Sequence, residues 1–221
     1  MIFQKHKKGK LVMKKIVLLI CLISMNCFAL IPTENSQTFS AQMNRAKNTA
    51  LPMSQRWDAL IQASELAEGD QIKDVLAFSK NKDWYMRNAL LVALDKAGND
   101  LVYDKAKDLV SDKALVVRSA AVEVLNRLES AEVRKILLDE VSKNYNFVNG
   151  KSLWIRSQIM KSMVKNPNQN EMTTYAKLVF DKDTEIAELS SQALERLSKV
   201  RFDGKEKLKS WQNYIKQNKL L

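Results

Sequence analysis

The side chains best suited to nucleophilic or metal chemistry lie close to the N-terminus of this sequence. The two cysteines are Cys21 and Cys27, and the single histidine is His6. Thiolates and imidazoles are the usual zinc ligands, nucleophiles and bases of hydrolytic sites. Beyond residue 29, catalysis would depend on carboxylates, lysines, tyrosines and hydroxyl groups.

Carboxylates are therefore the remaining candidates for an enzyme. A glycosidase needs two carboxyl groups facing each other across a cleft, and Asp95 with Glu123 is a pair that could be arranged in this way. Charged residues on solvated helix faces are common in proteins without activity. We therefore predict no catalytic residue, no metal site and no cofactor.

The first 29 residues have the layout of a secretion signal. They contain six lysines and no acid, and they include an apolar stretch over 16–25. A run of about ten apolar residues is too short to span a bilayer but suits a signal peptide. We expect cleavage after Ala29, with Met13 as an alternative start. An uncleaved anchor and a lipoprotein at Cys27 are the alternatives, although Asn26 is a poor match to lipoprotein signals.

Cleavage after Ala29 changes which functions remain open. It removes six of the 36 lysines and arginines and none of the 25 acids, so the net charge falls from +11 to +5. It also removes both cysteines and the histidine, which excludes disulfides, thiol nucleophiles and histidine-dependent triads from the exported part. We expect a periplasmic or secreted protein without a transmembrane span and without a nucleic-acid partner.

A repeat organises the rest of the chain. Arg56, Arg87 and Arg118 are 31 residues apart, and Arg156 and Ala187 are again 31 apart after one interval of 38. We refer to the four arginines as the rung arginines. Apolar or small residues recur three and seven places after each rung, which is the spacing of one buried helix face. These columns are Ala59, Leu90, Ala121, Ile159 and Ser190, and Ala63, Leu94, Leu125, Met163 and Leu194.

A second helix precedes each rung helix. Its apolar columns lie 15, 12 and 9 places upstream, as in Ile72, Val75 and Phe78. One helical hairpin cannot bury both apolar faces, whereas stacked hairpins share a core. We therefore predict an all-α fold, a right-handed α-solenoid of about five hairpins over 51–200. A lead-in and first helix over 30–50 precede it, and a capping helix over 201–221 follows.

The inter-helix turns show a resemblance to a known family. Asp83 to Leu91 and Asp112 to Ala121 each place an acid, then apolar residues and an arginine, before small and apolar residues. This pattern resembles the HEAT-repeat superfamily, especially short bacterial HEAT-like units. The resemblance implies that turn acids and rung arginines form a ladder between repeats. Its members would be Asp83, Arg87, Asp112, Arg118 and Arg156.

The ladder is predicted to be continuous only in its middle. Arg56 has no matching acid, Arg156 follows Lys151 and Ser152 where the acid would be, and Ala187 replaces an arginine. HEAT-like folds serve many functions, so the resemblance indicates architecture and leaves the function open.

The 38-residue interval indicates where a partner would bind. Its extra residues, around 144–151, include Tyr145 and Phe147 and lie close to Trp154. Insertions in repeat arrays emerge as loops, and aromatic side chains often dominate binding. The same aromatics could instead fill the core. The exposed face of the second helices, with Lys161, is the other candidate surface.

Our hypothesis is an exported scaffold that binds a protein partner in the cell envelope and is not an enzyme. One alternative is a basic module that associates weakly with anionic cell-wall polymer or lipid; a second is a HEAT-like lyase or hydrolase. The lysines of the basic module would be Lys161, Lys165, Lys205, Lys207, Lys209 and Lys216.

The cleavage site is open to a direct test. Because small residues stand at the third and last places before the cut, we expect Leu30 as the first residue of the exported protein when its N-terminus is sequenced. An N-terminus at Met1 or Met13, or a lipid-modified Cys27, would contradict this.

Overall fold

A computed structural model describes residues 34–221, with side chains from Thr38 onward. It is an all-α protein, about 70% helical. The signal-peptide prediction for residues 1–29, including His6, Met13 and the cysteines, lies outside the described residues. None of the described helices combines the length and the apolar character that crossing a bilayer requires.

Eleven α-helices and one short β-hairpin make up the described part of the chain. The helices are α1 Glu34–Lys47, α2 Met53–Leu66, α3 Ile72–Leu76, α4 Trp84–Lys96, α5 Leu101–Leu109, α6 Leu115–Leu125, α7 Ala131–Val141, α8 Trp154–Met163, α9 Met172–Leu178, α10 Thr184–Ser198 and α11 Lys207–Gln217. The strands are β1 Phe147–Val148 and β2 Lys151–Ser152, and short 3-10 turns cover Gly69–Gln71, Ala77–Lys80, Asn144–Asn146 and Gln169–Glu171.

The even-numbered helices from α2 to α10 carry the rung positions and pack in series. α2 contacts α4, α4 contacts α6, α6 contacts α8, and α8 contacts α10. Their buried faces follow the predicted columns, as Leu90 and Leu94 of α4 show. The residue four places after each rung, such as Leu91 or Met160, is also buried. This position therefore belongs to the core and does not form an exposed apolar groove.

The helix before the hairpin is shorter than the apolar spacing of the sequence predicts. That spacing predicts a helix over 131–145, but α7 ends at Val141. The chain then forms a 3-10 turn and the two-stranded antiparallel hairpin, in which Val148 pairs with Lys151. Asn149 and Gly150 both have positive φ, which a two-residue hairpin turn of type I′ requires.

The C-terminal helix closes one end of the core. Trp211 and Ile215 of α11 are fully buried, and Phe202 packs its ring against Trp211 at 5.1 Å between centroids. α11 contacts α10, the last rung helix. Its amphipathic sequence thus covers an apolar surface that has no further repeat to pack against.

The rung arginines are buried and join neighbouring hairpins. Arg87 Nε and Nη2 donate to the carboxylate of Asp112 at 2.6 and 2.7 Å, and Arg87 Nη1 donates to the Asn81 and Lys82 carbonyls of its own turn. Asp112 also accepts a hydrogen bond from Ala114 N. Each guanidinium of this kind therefore ties its own turn to the next one.

The extent of this ladder corrects the sequence expectation. Arg56 donates to Asp83 at 3.3 Å, and Arg156 pairs with Asp181 and lies 4.0 Å from Asp183. The acid therefore comes from the following hairpin, so the residues just before Arg56 and Arg156 do not decide whether these two arginines are paired. Arg118, in the middle, is the rung arginine that meets no carboxylate within residues 34–221.

Burial and hydrogen bonding act in opposite directions on Asp112. Burial raises the pKa of its carboxyl group, but the hydrogen bonds from Arg87 and Ala114 outweigh it and hold the pKa below its ordinary value. Asp112 is therefore ionised at neutral pH. Its charge is compensated within the structure only as long as Arg87 is present.

Arg87→Ala should destabilise the protein by about 3–5 kcal/mol, because it leaves the buried Asp112 carboxylate without its partner. Urea unfolding followed by circular dichroism measures the change. Arg127→Ala is the matched control, since Arg127 forms a 2.8 Å ion pair with Asp95 at the surface and should cost less than about 1 kcal/mol. Equal losses for the two variants would show that the rung is not a special contact.

Candidate functional site

The hairpin and the turn before α10 enclose a groove of about 660 Å³. The hairpin forms one wall and the turn forms the other. The groove is lined by Phe147, Gly150, Lys151, Ser152, Phe180, Asp181, Lys182, Asp183 and Thr184. The 38-residue interval thus creates this groove, because the hairpin is the inserted segment.

Tyr145 has a structural contact and an exposed ring. Its hydroxyl donates to the buried Glu140 carboxylate at 2.7–2.8 Å, and its ring lies 5.3 Å from the Arg118 guanidinium carbon. Burial and the hydrogen bond to Glu140 raise the pKa of the Tyr145 hydroxyl, so it remains a neutral donor. The ring is nevertheless 42% exposed.

The 3-10 turn Asn144–Asn146 supplies acceptors in place of the acid that Arg118 lacks. Arg118 Nε donates to Asn146 Oδ1, and Arg118 Nη2 donates to the Tyr145 carbonyl, both at 3.0 Å. Asn146 is fully buried and donates in turn to the Glu140 carbonyl. The 3-10 turn therefore satisfies a buried guanidinium with neutral acceptors.

Phe147 belongs to the next rung. Its ring lies 4.2 Å from the guanidinium carbon of Arg156 and lines the groove on its other side. Arg156 is itself buried and also bonds to Ser152 Oγ and the Val141 carbonyl. Phe147 thus covers a structural ion pair, so only part of its surface is free for a partner.

Trp154 and Val148 are the freely exposed apolar residues at the hairpin. Trp154 opens α8 and is 53% exposed, while Val148 is 55% exposed. Tyr145 and Phe147 thus contact the rung arginines, whereas Val148 and Trp154 are exposed.

Lys161 does not join this cluster. It lies about two helical turns after Trp154 in α8. Lys161 forms a 2.7 Å ion pair with Glu185 of α10, and both side chains are at least half exposed. This contact links two neighbouring rung helices at the surface. The hydrogen bond from Lys161 lowers the pKa of the Glu185 carboxyl group.

Asp95 and Glu123 line a second, shallower groove of about 320 Å³ between α4 and α6. Arg127 lines it too and pairs with Asp95 at 2.8 Å. The remaining lining is mostly apolar, with Leu91, Val92 and Val124 among it. The two carboxylates therefore share a groove, but Arg127 already pairs with one of them, Asp95.

No cluster of three or more potential metal ligands of the types His, Cys, Asp and Glu occurs within residues 34–221. The acids around the hairpin groove have other partners. Asp181 binds Arg156, and Asp183 accepts a hydrogen bond from Glu185 N as the cap of α10. This groove thus offers a mixed apolar and basic surface without free carboxylates gathered around a centre.

One signal for this site was present in the sequence and was missed. Asn149-Gly150 between short segments with β-forming residues is a strong hairpin signal. The role of Asn146 as a rung partner had no comparable signal, since it depends on the fold of the inserted segment.

No protein-family model matches this chain, and no curated protein is significantly similar to it. The residues and contacts of this chain are therefore the basis for proposing its function.

Tyr145→Phe should destabilise the protein by about 1–3 kcal/mol, because Glu140 is 5% exposed and loses its hydroxyl donor. The ring remains and can still pack on Arg118. Tyr103→Phe is the matched control, because the Tyr103 hydroxyl forms no hydrogen bond within the described residues. Chemical denaturation of both variants measures the difference, and a loss no larger than in the control would show that the Glu140 contact contributes little.

Proposed function

We propose that this protein is an exported HEAT-like α-solenoid that binds a protein partner in the cell envelope. The binding site is the hairpin groove, between the strands at Phe147–Ser152 and the turn before α10. The protein acts as a scaffold and not as an enzyme.

The serial packing of the rung helices supports the solenoid. Each contacts the next, and hydrogen bonds from rung arginines cross successive junctions. Like units that bury their apolar faces on their neighbours are the defining feature of repeat arrays. The turn pattern around Arg87 and Arg118 is similar to that of HEAT-like units.

The distribution of exposed apolar side chains carries the binding proposal. Eight large hydrophobic residues are exposed among the described residues, and four of them, Tyr145, Val148, Trp154 and Phe180, lie around the hairpin. Exposed apolar clusters of this kind mark partner sites. Aromatic anchors supply much of the energy at protein interfaces.

The basic-module alternative has weaker support. Lys161 pairs with Glu185, Lys207 with Glu195, and Lys209 with Glu206. Lys216 lies 5.6 Å from the ring centre of Phe180. Most of the lysines proposed for that function are thus already engaged within the chain.

The enzyme alternative has even less support. Asp95 is engaged by Arg127, and the groove that it shares with Glu123 lies on an open helix face. A glycosidase would need both carboxylates directed at a substrate across a cleft.

Photo-crosslinking in cells tests the binding site. A photoreactive phenylalanine analogue placed at Val148 or Trp154 should give a discrete adduct with one partner protein, because both side chains are exposed and lie close in sequence to the groove-lining residues Phe147 and Ser152. Neither side chain takes part in the hydrogen bonds of the rung arginines, so neither replacement should disturb a rung. Adducts are detected as a mass shift and identified by mass spectrometry.

Lys96 provides the control position, because it is exposed at the last residue of α4, at the end of a rung helix opposite to the hairpin. The same analogue there should give no such adduct. The proposal fails if positions 148 and 154 give no adduct, or if position 96 yields the same adduct in equal amount.

A further inference from the structure

A row of lysines lies along the end of the array where the rung helices begin. Each stands five places before a rung position, in the turn or strand that leads into the helix. All four side chains are exposed, and none has an ion-pair partner within the part of the chain that the structure describes. They are Lys82, Lys113, Lys151 and Lys182, and we call this row the lysine edge.

The acids of the same turns have other partners. Asp83 binds Arg56 and caps α4, and Asp112 binds Arg87. Around Lys182, Asp181 binds Arg156 and Asp183 caps α10. These carboxylates are therefore engaged, while the lysine between or beside them is exposed and has no such partner. The result is an edge whose outer surface is positive even though its turns contain acids.

Two further features of this end add to the positive potential. α4, α6, α8 and α10 all begin here, and helix N-termini carry a partial positive charge. Asp83 and Asp183 cap α4 and α10, whereas α6 and α8 begin without a side-chain cap. Arg118 is satisfied by neutral acceptors and meets no carboxylate within residues 34–221. The charge of the edge is thus complementary to an acidic ligand.

Aromatic side chains accompany the lysines. Trp57, Trp84 and Tyr85 line a shallow groove of about 280 Å³ at the start of α2, α4 and α6. The rest of its lining is Ser54, Asn88, Val116 and the exposed carboxylate of Asp58. The rings of Trp57 and Tyr85 are 4.7 Å apart, and Trp84 is 43% exposed. Trp154 stands three residues after Lys151 at the same edge. Aromatic grooves are typical binding sites for extended, proline-containing segments.

The spacing of the row selects the form of the ligand. Packed helices lie about 8–10 Å apart, so successive lysines should follow at about that interval. A polyproline II chain has three residues per turn and rises about 3.1 Å per residue, or about 9 Å per turn. An acid at every third residue of such a chain would meet one lysine per repeat.

We propose that the lysine edge binds an extended acidic segment of the partner protein, with an acidic residue at every third position and apolar residues between them. The segment runs across the turns from Lys82 to Lys182, with its apolar residues on the tryptophans. This proposal rests on the proposed function, whose partner it describes. The aromatic groove favours a chain over a bilayer, because Trp57 and Tyr85 are only partly exposed.

A binding assay with defined peptides tests this. The probe is a fluorescent peptide of repeated Glu-Pro-Pro units, and its comparison is a peptide of the same composition with all glutamates in one block. Fluorescence anisotropy at low salt should show binding of the repeated peptide at least about threefold tighter than of the block peptide, since only the former matches the row. Added salt should weaken both.

The variant that removes the edge carries Lys82→Ser, Lys113→Ser, Lys151→Ser and Lys182→Ser. With four exposed ion pairs lost, the repeated peptide should bind about thirtyfold more weakly. The matched control carries Lys96→Ser, Lys165→Ser, Lys199→Ser and Lys205→Ser, four exposed lysines that form no ion pair within the described residues and lie at or after the C-terminal ends of rung helices. It has the same net charge and should bind within about threefold of the unaltered protein.

Three results would overturn the proposal: equal losses in the two lysine variants, equal binding of the two peptides, or lysine-dependent binding to phosphatidylglycerol vesicles without binding of the peptide. The last would identify the edge as a membrane surface. Crosslinking at Val148 and Trp154 separates this from the proposed function. If the adduct forms while the peptide does not bind, the partner site stands and the acidic segment is wrong. If the peptide binds through the lysines while no adduct forms, the lysine edge stands and the hairpin site is wrong.

Discussion

The buried rung arginines are the contacts on which the rest of the structure depends. A guanidinium has five donors in a fixed plane, so one side chain can reach the carbonyls of its own turn and the carboxylate of the next turn together, as Arg87 does. Apolar packing alone would hold neighbouring hairpins together but allow them to slide, because it is not directional. The ladder adds direction and fixes each turn against the next.

The inserted segment shows how the array tolerates a change of period. A longer interval moves the expected acid away from Arg118, and a buried guanidinium without acceptors would be costly. The segment supplies Asn146 and the Tyr145 carbonyl in its place, and the Tyr145 ring lies beside the same guanidinium. Once that need is met, the remaining residues form the hairpin and expose Val148. The replacement of the acid and the exposure of Val148 thus arise from the same inserted segment.

The inward orientation of the acids also links stability to the surface. Because Asp83, Asp112 and Asp181 are committed to rung arginines, the lysines beside them have no acid to pair with in their own turns. A charge that is balanced in the sequence is therefore separated in space, with acids inside and lysines outside. A similar brace, Arg134 with Glu171 at 2.6 Å, joins α7 to the turn before α9. There, burial raises the pKa of Glu171, but the hydrogen bonds from Arg134, the Asn168 amide and Tyr175 together outweigh it and lower that pKa overall.

The sequence by itself determined the helices and their buried faces, because the three-and-four spacing of apolar residues around Leu90 or Ile159 is a local property of the chain. It also predicted that the arginines recur in a structural role, since a repeated residue at a repeated position implies a repeated contact. Only the tertiary structure decided which acid each arginine meets, as the partners of Arg56 and Arg156 lie in the following hairpin. It likewise decided that Tyr145 holds Glu140 while Trp154 stays exposed. The physical reason is that such contacts depend on the distance between separate turns, which the packing of whole helices sets and no short stretch of sequence encodes.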